Sequence, residues 1–407
     1  MEHQKGHPVS SLSEQEREKI VEALRGDFYL VPSLKTRIGQ AEDELLQLTK
    51  EQYRVLDGLR DNPRAIVKGA AGTGKTLLAV EEARRRAQDG EKVLLCCYNE
   101  QLGAWLREAV KDVANITATS LPVYMAALIN EAGLRDRLPR AEKEDLESIF
   151  YPEVAQDALL QLDRLGSFDT LIIDEAQDLL LPTYIDFFEC LLKDGLQNGR
   201  WMLFYDPFQD IFNANAPEGR KRLMDGHPIK WTLDLNCRNT RPVAVGVQIL
   251  SGIHTGETLH AGGPDIVHEW YRDAAHQKRE VAKCVNKLLS DGVPPEDIIL
   301  LSPRRQAESA VAGGLPGVPF SLVPYNGPIA PSRKIRFSSV DDYKGLESPV
   351  VIVTDITDLE SDDAAALVYV GASRAKSLLC VFVDEKLKSA YAQKALEYGR
   401  NLQRDNA

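Results

Sequence analysis

The sequence predicts an α/β protein made of two successive lobes, each built on a mostly parallel sheet. Its 407 residues are enough for two or three domains, and 43% of them are hydrophobic, so sizeable cores are expected. Short apolar runs alternate with longer helical patterns in two series, one on each side of residue 240. Strands that alternate with helices along a chain are typical of parallel sheets.

The first series contains five apolar runs that we interpret as buried strands. They are Ala65–Lys68, Lys92–Tyr98, Asn115–Ala118, Thr170–Asp174 and Trp201–Tyr205. Between the third and fourth runs, residues 120–165 have a helical pattern and predict a small helical insertion. Lobe 1 is therefore predicted to span residues 48–240.

The second series predicts lobe 2 over residues 241–407. Its strands are expected at Ile266–Tyr271, Asp297–Leu301, Lys334–Val340, Val350–Thr354 and Leu378–Val383. Glycine and proline cluster over residues 313–331, which predicts a long surface loop. Residues 1–47 are polar, with a helix-like segment near Glu14–Arg25, and are interpreted as an N-terminal helical extension.

Composition excludes several classes of protein. The net charge of −12 disfavours a protein coated in positive charge for indiscriminate nucleic-acid binding, although it leaves a local basic groove open. The six cysteines form no CxxC pair and mostly lie in apolar stretches, which favours reduced, buried thiols in a cytoplasmic protein. No apolar stretch approaches the length of a membrane span, so no membrane anchor is expected.

The strongest motif is GAAGTGKT at residues 69–76, which fits GxxxxGK[ST]. It follows an apolar run and precedes a predicted helix over Leu77–Arg86, the context that a phosphate-binding loop requires. Backbone N–H groups of such a loop, together with the helix N-terminus, bind phosphate oxygens. Lys75 is expected to reach the β- and γ-phosphates of ATP, and the Thr76 hydroxyl to bind Mg²⁺. The full set predicted to hold the nucleotide here is Gly69, Gly72, Thr73, Gly74, Lys75 and Thr76.

A second motif delivers two adjacent carboxylates at the end of an apolar strand, Leu171-Ile-Ile-Asp174-Glu175. Downstream of a phosphate-binding loop, this pattern favours Mg²⁺-ATP chemistry. Asp174 is predicted to hold the metal through water, and Glu175 to polarise the attacking water.

The segment DEAQD at residues 174–178 resembles motif II of superfamily 1 helicases, the UvrD/Rep-like group, whose two lobes are RecA-like. Five further segments resemble other motifs of this group and occur in its order. They are LTKEQ at 48–52 (Q motif), YDPFQDIF at 205–212 (III), NCRNT at 236–240 (IV), YKGLE at 343–347 (V) and YVGASRAK at 369–376 (VI). The resemblance covers most of the chain, and it is closest to the helicase half of bacterial proteins that carry a nuclease-related domain.

The resemblance implies roles for residues outside the phosphate-binding loop. Gln209 would sense the γ-phosphate, and Arg238 and Arg374 would contact it from motifs IV and VI. Motif V would contribute Gly345 and Glu347 to the nucleotide site, with Glu347 at the ribose. ATP bound between the lobes would draw these groups together, and hydrolysis would release them.

The adenine site departs from the family pattern. Family members stack adenine between an arginine after the phosphate-binding loop and a tyrosine in motif IV, whereas this chain has Leu77 and Cys237 there. Adenine selectivity would then depend on Gln52, aided by Tyr53. Relaxed base preference is therefore our hypothesis.

The nucleic-acid face also departs from the pattern. Ala214 replaces a tryptophan of motif III, Asp341 replaces a histidine of motif V, and Glu100 lies in motif Ia where the family tends to be basic. Tyr98 and Phe212 remain the candidates for base stacking, with burial in the core as the alternative.

The motifs favour an ATP-dependent single-stranded DNA translocase or helicase, with 3′–5′ movement implied by the resemblance and RNA left open as the polymer. The alternative is an ATP-hydrolysing switch that controls a partner nuclease or effector, for example in bacterial antiviral defence. The short chain and the altered nucleic-acid face favour the switch, whereas the retained Glu175, Gln209 and arginines favour turnover. Residues 1–47 are too short for a nuclease, which a separate subunit would have to supply. A small-molecule kinase would leave motifs III to VI unexplained.

Overall fold

The computed structural model describes residues 33–209, 216–258, 262–325 and 334–405, with side chains described for all of these except 44–52, 216–217 and 404–405. The helix-like segment near Glu14–Arg25 lies outside the described residues. Two six-stranded sheets dominate the rest, which confirms the predicted α/β class with two RecA-like lobes.

The sheet of lobe 1 contains only parallel pairs, in the order β3-β2-β4-β5-β1-β6. Its strands are β1 Arg64–Gly69, β2 Val93–Cys97, β3 Ile116–Ser120, β4 Thr170–Ile173, β5 Arg200–Tyr205 and β6 Ile229–Leu233. The five predicted strands are confirmed. The sixth, β6, was not predicted, because it is an edge strand with four exposed residues and therefore lacks a buried apolar run.

The sheet of lobe 2 is also parallel throughout, in the order β11-β12-β10-β13-β14-β9. The remaining strands are β7 Leu235–Asn236, β8 Glu257–Thr258, β9 Val267–Tyr271, β10 Ile298–Ser302, β11 Ser321–Pro324, β12 Lys334–Ser339, β13 Ser348–Ile356 and β14 Ala375–Asp384. The predicted strands of this lobe are confirmed. The prediction of a continuous loop over residues 313–331 is wrong where β11 pairs with β12 at the sheet edge.

Helices cover the sheets and form the predicted insertion between β3 and β4. The insertion contains Leu121–Glu131, Lys143–Asp145, a π-helical turn at Leu146–Phe150, and Tyr151–Gln161. The other helices are Leu34–Gln52, Arg54–Leu59, Lys75–Gln88, Glu100–Ala109, Pro182–Leu191, Gly195–Asn198, Ala216–Asp225, Arg241–Ser251, Ala274–Ser290, Asp362–Ala372 and Lys388–Asp405, with short 3₁₀ turns at Arg135–Arg137, Ala176–Leu179, Pro295–Asp297 and Glu385–Leu387. Among the described helices, none is both long and apolar enough to cross a membrane.

The central strands are apolar on both faces because helices pack on both sides of each sheet. Every residue of β2 and of β10 is buried. One hydrophobic cluster contains side chains of both lobes, including Leu102 of lobe 1 and Leu346 of lobe 2. The lobes therefore pack directly against each other. All six cysteines are free thiols, and Cys96, Cys97, Cys237 and Cys380 are buried, in line with the prediction.

The helix Leu34–Gln52 lies against lobe 2 at its N-terminal end. Ile38 is buried in the core of lobe 2, and Arg37 Nη2 donates to Gly263 O at 2.9 Å. The predicted boundary between the N-terminal extension and lobe 1, at residue 48, lies within this helix. The following helix, Arg54–Leu59, contributes buried leucines to the cluster shared by both lobes.

Candidate nucleotide site between the two lobes

The phosphate-binding loop connects the end of β1 to the helix Lys75–Gln88, as predicted. Gly72 and Gly74 adopt φ angles of +88° and +79°, in the left-handed region that glycine occupies without strain. A Cβ atom at Gly72 would lie 2.5 Å from Asn236 Oδ1 and 2.5 Å from Asn239 Oδ1. Position 72 therefore needs glycine both for its backbone and for the close approach of two asparagines.

Lys75 lies at the mouth of this loop and is 5% exposed. Its Nζ donates to Gly69 O at 2.8 Å and to Ala70 O at 3.0 Å, and lies 3.7 Å from Asp206 Oδ2. A buried ammonium that is held by backbone carbonyls and has no carboxylate closer than 3.7 Å can rotate onto an anion that enters the loop.

Asp174 directly follows β4 and is fully buried. Neither of its carboxylate oxygens has a hydrogen-bond partner among the described residues. Burial is the main cause that raises the pKa of Asp174 to about 7, and the adjacent charge of Glu175 adds to it. A buried, unpartnered carboxylate beside the Thr76 hydroxyl supplies the oxygen ligands that Mg²⁺ prefers, so these two residues fit the predicted metal site. No group of three His, Cys, Asp or Glu side chains in the described ranges could hold a metal alone.

Glu175 is held in the left-handed region at φ +49° and is 5% exposed. Gln177 Nε2 donates to its Oε2. Burial is the largest single influence and would raise the pKa of Glu175, but the charges of Lys75, Lys344 and Arg374 outweigh it, and the pKa is lowered. The carboxylate therefore stays ionised and can accept a hydrogen bond from a water molecule.

Asp206, at the end of β5, collects hydrogen bonds from several sides. Its backbone N donates to Gln177 Oε1 at 3.1 Å, and its Oδ2 accepts from Gln209 Nε2 at 2.7 Å and from the Tyr369 hydroxyl at 3.2 Å. The same tyrosine oxygen accepts from Ala71 N at 2.7 Å. Tyr369 of lobe 2 thus joins the phosphate-binding loop to the segment that carries Gln209. Sequence reasoning missed this role because the Ala71–Tyr369 contact spans 298 residues and leaves no local pattern.

Arg374 contributes a positive charge from lobe 2 and is only 1% exposed. Its Nε donates to Val370 O at 2.8 Å, but both terminal nitrogens lack partners within the described part of the chain. Burial, followed by the charge of Arg238, lowers the pKa of Arg374. Arg238 itself pairs with Glu347, with Nε 2.7 Å from Oε2. An unpaired buried guanidinium is costly, and an anionic ligand would offset that cost.

Two asparagines connect the phosphate-binding loop to motif VI. Asn236 Nδ2 donates to Ala71 O at 3.4 Å and to Asn239 Oδ1 at 2.9 Å. Asn239 Nδ2 donates in turn to Ser373 O at 3.0 Å and to Ala375 O at 2.6 Å, on both sides of Arg374. Neither asparagine was singled out from the sequence, although both lie in the NCRNT segment.

Comparison with known proteins agrees with this arrangement. A family model described as "Schlafen group 3, DNA/RNA helicase domain" matches residues 64–287, which is more than half of the chain. The chain belongs to this family. A model of the UvrD-like helicase C-terminal domain matches residues 334–385. Together these matches confirm the superfamily 1 helicase core that the motifs predicted.

No curated protein matches the chain. Among solved structures, it is similar to one described as the structure of PRRSV helicase, with 10% identity and a TM-score of 0.39. That match covers 80% of this chain and 53% of the other, so the chain spans about half the length of that protein.

Leu77 and Cys237 occupy the two positions where superfamily 1 helicases stack the adenine base. Neither side chain has an aromatic ring or a positive charge. Cys237 is buried, and its backbone N donates to Gly72 O at 2.9 Å. Leu77 lies half-buried in the first turn of the helix Lys75–Gln88. The side chain of Gln52, predicted to read the adenine edge, lies outside the described side chains.

Residues 98–102 and Asp178 of lobe 1 meet residues 341–345 of lobe 2 in what we call the Asn99–Lys344 edge. Lys344 Nζ lies 2.6 Å from Asp178 Oδ1, and Asn99 Nδ2 donates to Asp341 O and Asp342 O, each at 3.2 Å. The polar groups of this edge are therefore largely satisfied by each other.

Close packing accompanies these bonds. Gly345, predicted at the nucleotide, adopts φ +82°, and a Cβ there would lie 2.5 Å from Leu102 Cδ2. Tyr98 packs against the core of lobe 1, and its hydroxyl donates to Glu147 Oε2 of the helical insertion at 2.8 Å. Phe212, the other predicted stacking residue, lies outside the described residues.

Proposed function

We propose that this helicase-like NTPase hydrolyses ATP between its two lobes and uses the cycle to move along single-stranded DNA. The observation that carries this proposal is that each lobe buries one charged side chain without a full set of partners, and that the two charges are opposite. Asp174 of lobe 1 presents two unpartnered oxygens, and Arg374 of lobe 2 presents two unpartnered nitrogens. The charge of Arg374 lowers the pKa of Glu175, and the charge of Glu175 raises the pKa of Asp174, so all three share one electrostatic environment. Mg²⁺ and a polyphosphate supply the charges that these groups lack.

The chain's own residues then divide the reaction. The backbone N–H groups of residues 70–76 and Lys75 bind the β- and γ-phosphates. Asp174 and Thr76 would hold Mg²⁺, which when bound neutralises phosphate charge. Glu175, kept ionised by the surrounding cations, orients the attacking water and accepts its hydrogen bond.

The arginines complete the site from the other side. Arg374 and Arg238 stabilise the charge that develops on the transferred phosphoryl group. Gln209, which donates a hydrogen bond to Asp206 Oδ2, would sense the γ-phosphate.

Movement follows from contacts that depend on both lobes. Tyr369, Asn236 and Asn239 join the phosphate-binding loop to motif VI, so we expect loss of the γ-phosphate to alter hydrogen bonds between the lobes. Such a change, repeated with each turnover, is the kind of cycle that drives a 3′–5′ step along a single strand in superfamily 1.

The test is a steady-state hydrolysis assay on the purified chain, with no polymer, with single-stranded DNA and with single-stranded RNA. We expect DNA to stimulate ATP turnover at least about tenfold, and the Lys75→Ala and Glu175→Gln variants to lose it. Greater stimulation by RNA than by DNA would support ATP-driven movement along RNA instead of DNA. Absence of turnover under all conditions, in a protein shown to be folded, would refute the proposal.

A second function is favoured by the Asn99–Lys344 edge. There the lobes hydrogen-bond directly to each other, and the exposed carboxylates of Glu100, Asp341 and Asp342 would repel the phosphates of a nearby strand. This edge supports an ATP-hydrolysing switch whose state controls a partner nuclease or effector, with antiviral defence as one setting. Turnover that is equal with and without DNA or RNA would favour the switch over the motor.

A further inference from the structure

We infer that Glu42, on the helix Leu34–Gln52, is a positioning residue for the arginine pair of the nucleotide site. This inference rests on the proposed NTP hydrolysis and adds a residue that none of the helicase motifs contains. Glu42 Oε1 lies 2.7 Å from Lys376 Nζ, the last residue of motif VI and two positions after Arg374. The contact brings a charge from the N-terminal helix to the site.

Glu42 is the first member of a series of alternating charges. Lys376 is partly buried, and burial would lower its pKa, but the charges of Glu347 and Glu42 raise it. Glu347 in turn pairs with Arg238 at 2.7 Å and also feels Lys376 and Arg374. The order is thus Glu42, Lys376, Glu347 and the two arginines, with each carboxylate beside at least one cation.

Glu347 is ion-paired with Arg238, and the charge of Lys376 also acts on it. With Glu42 present, Lys376 has a carboxylate of its own, and Glu347 is free to fix the Arg238 guanidinium. Without Glu42, Lys376 would compete for Glu347 and loosen Arg238. Since the Glu42–Lys376 and Arg238–Glu347 pairs are each 2.7 Å apart and partly shielded from solvent, the effect should reach the γ-phosphate site.

The helix is anchored well enough to transmit this effect. Arg37 donates to Gly263 O, Ile38 is buried in the core of lobe 2, and Glu42 follows one turn later on the same side. The adjacent Asp43 is exposed, so the two neighbouring carboxylates of one helix occupy different environments. Asp43 is therefore a matched control.

The experiment compares Glu42→Gln with Asp43→Asn in the full chain, measuring kcat and KM for ATP and the thermal unfolding temperature. We expect Glu42→Gln to lower kcat about three- to tenfold, as one ion-paired positioning contact allows, with an unfolding temperature like that of the control. Asp43→Asn should match the parent. A general loss of structure would instead lower the unfolding temperature together with activity.

A double-mutant cycle with Lys376→Met isolates the mechanism. When Lys376 can no longer compete for Glu347, adding Glu42→Gln should change kcat less than twofold. Equal effects of Glu42→Gln in both backgrounds, or no effect in the parent background, would overturn the inference alone. A folded parent without any turnover would overturn the proposed function and this inference with it.

Discussion

Two regions where the lobes meet differ in how their buried polar groups are satisfied. At the nucleotide site, Asp174 and Arg374 are buried with oxygens and nitrogens that have no partner among the described residues. At the Asn99–Lys344 edge, Lys344 pairs with Asp178 and Asn99 donates to two carbonyls. Since an unpartnered buried polar group is costly, this contrast supports the proposal that the first region binds an ionic ligand, whereas the named polar groups of the second region already have partners.

The largest effect on turnover is expected when the unpartnered guanidinium of Arg374 is removed. We expect Arg374→Met to reduce kcat for ATP about a thousandfold or more, because an arginine at the γ-phosphate contributes that much to phosphoryl transfer. The nucleotide-free variant should unfold at a temperature no lower than the parent, since an unpaired buried charge is removed. Steady-state kinetics and thermal unfolding measure the two quantities.

Arg305, on an exposed part of lobe 2, supplies the control for this substitution. Arg305→Met should leave both kcat and the unfolding temperature near the parent values. If Arg374→Met retained most of its turnover, the contrast between the two regions would no longer identify the nucleotide site.

The next effect tests the fit between the phosphate-binding loop and the asparagines. Gly72→Ala places a Cβ 2.5 Å from Asn236 Oδ1 in a residue with φ +88°. We expect a loss of about 2–4 kcal/mol in the free energy of unfolding, together with loss of nucleotide binding. Chemical denaturation and titration with a fluorescent ATP analogue give both values.

Gly90→Ala separates backbone strain from contact. Gly90 has φ +89°, close to that of Gly72, but a Cβ there would meet no atom within 4 Å. This variant should lose only about 1 kcal/mol, the backbone share of the effect. Equal losses at the two glycines would show that the asparagine contact contributes nothing.

Most strands of the two sheets could be predicted from the sequence, and the strands that were missed lack a local sequence signature. The strands β1, β2 and β4 and the loop between β1 and its helix have local signatures, namely apolar runs and a glycine pattern, and all lie where predicted. Strand β6 was missed because an exposed edge strand lacks such a run. Strand β11 was missed because the surrounding glycines and prolines indicate a loop.

The residues of the candidate nucleotide site likewise divide into those with a local sequence signature and those without one. Lys75, Asp174 and Glu175 were predicted as site residues because short motifs carry them. The contacts of Tyr369, which also lies in a motif, and of Glu42 were not predicted, because their partners, Ala71 and Lys376 respectively, lie hundreds of residues away. Only the folded chain determines which distant polar groups meet.

A smaller effect concerns pH. The raised pKa of Asp174 means that the folded, metal-free protein binds a proton that the unfolded chain has lost at the same pH. Stability from this residue is therefore present at low pH and is lost as pH rises toward about 7, after which it levels off.

The measurement is the free energy of unfolding of the parent minus that of Asp174→Asn, in chelator, between pH 5 and 8. This difference should fall with pH by at most about 1.4 kcal/mol per unit and flatten near neutrality. A difference that rises with pH would mean that Asp174 has a partner in the folded state.

The smallest expected effect is on base preference, and it sharpens the comparison within the nucleotide site itself. The phosphate end presents unpartnered charges, whereas the base end presents Leu77 and a buried Cys237 whose backbone is already bonded to Gly72. Neither side chain offers a ring or a cation to stack on a base, so the site should recognise the triphosphate more than the base. We expect kcat/KM for ATP and GTP to agree within about tenfold. Leu77→Arg, which restores a stacking cation, should raise kcat/KM for ATP more than for GTP, and a parent that already prefers ATP about a hundredfold would place base recognition on other residues.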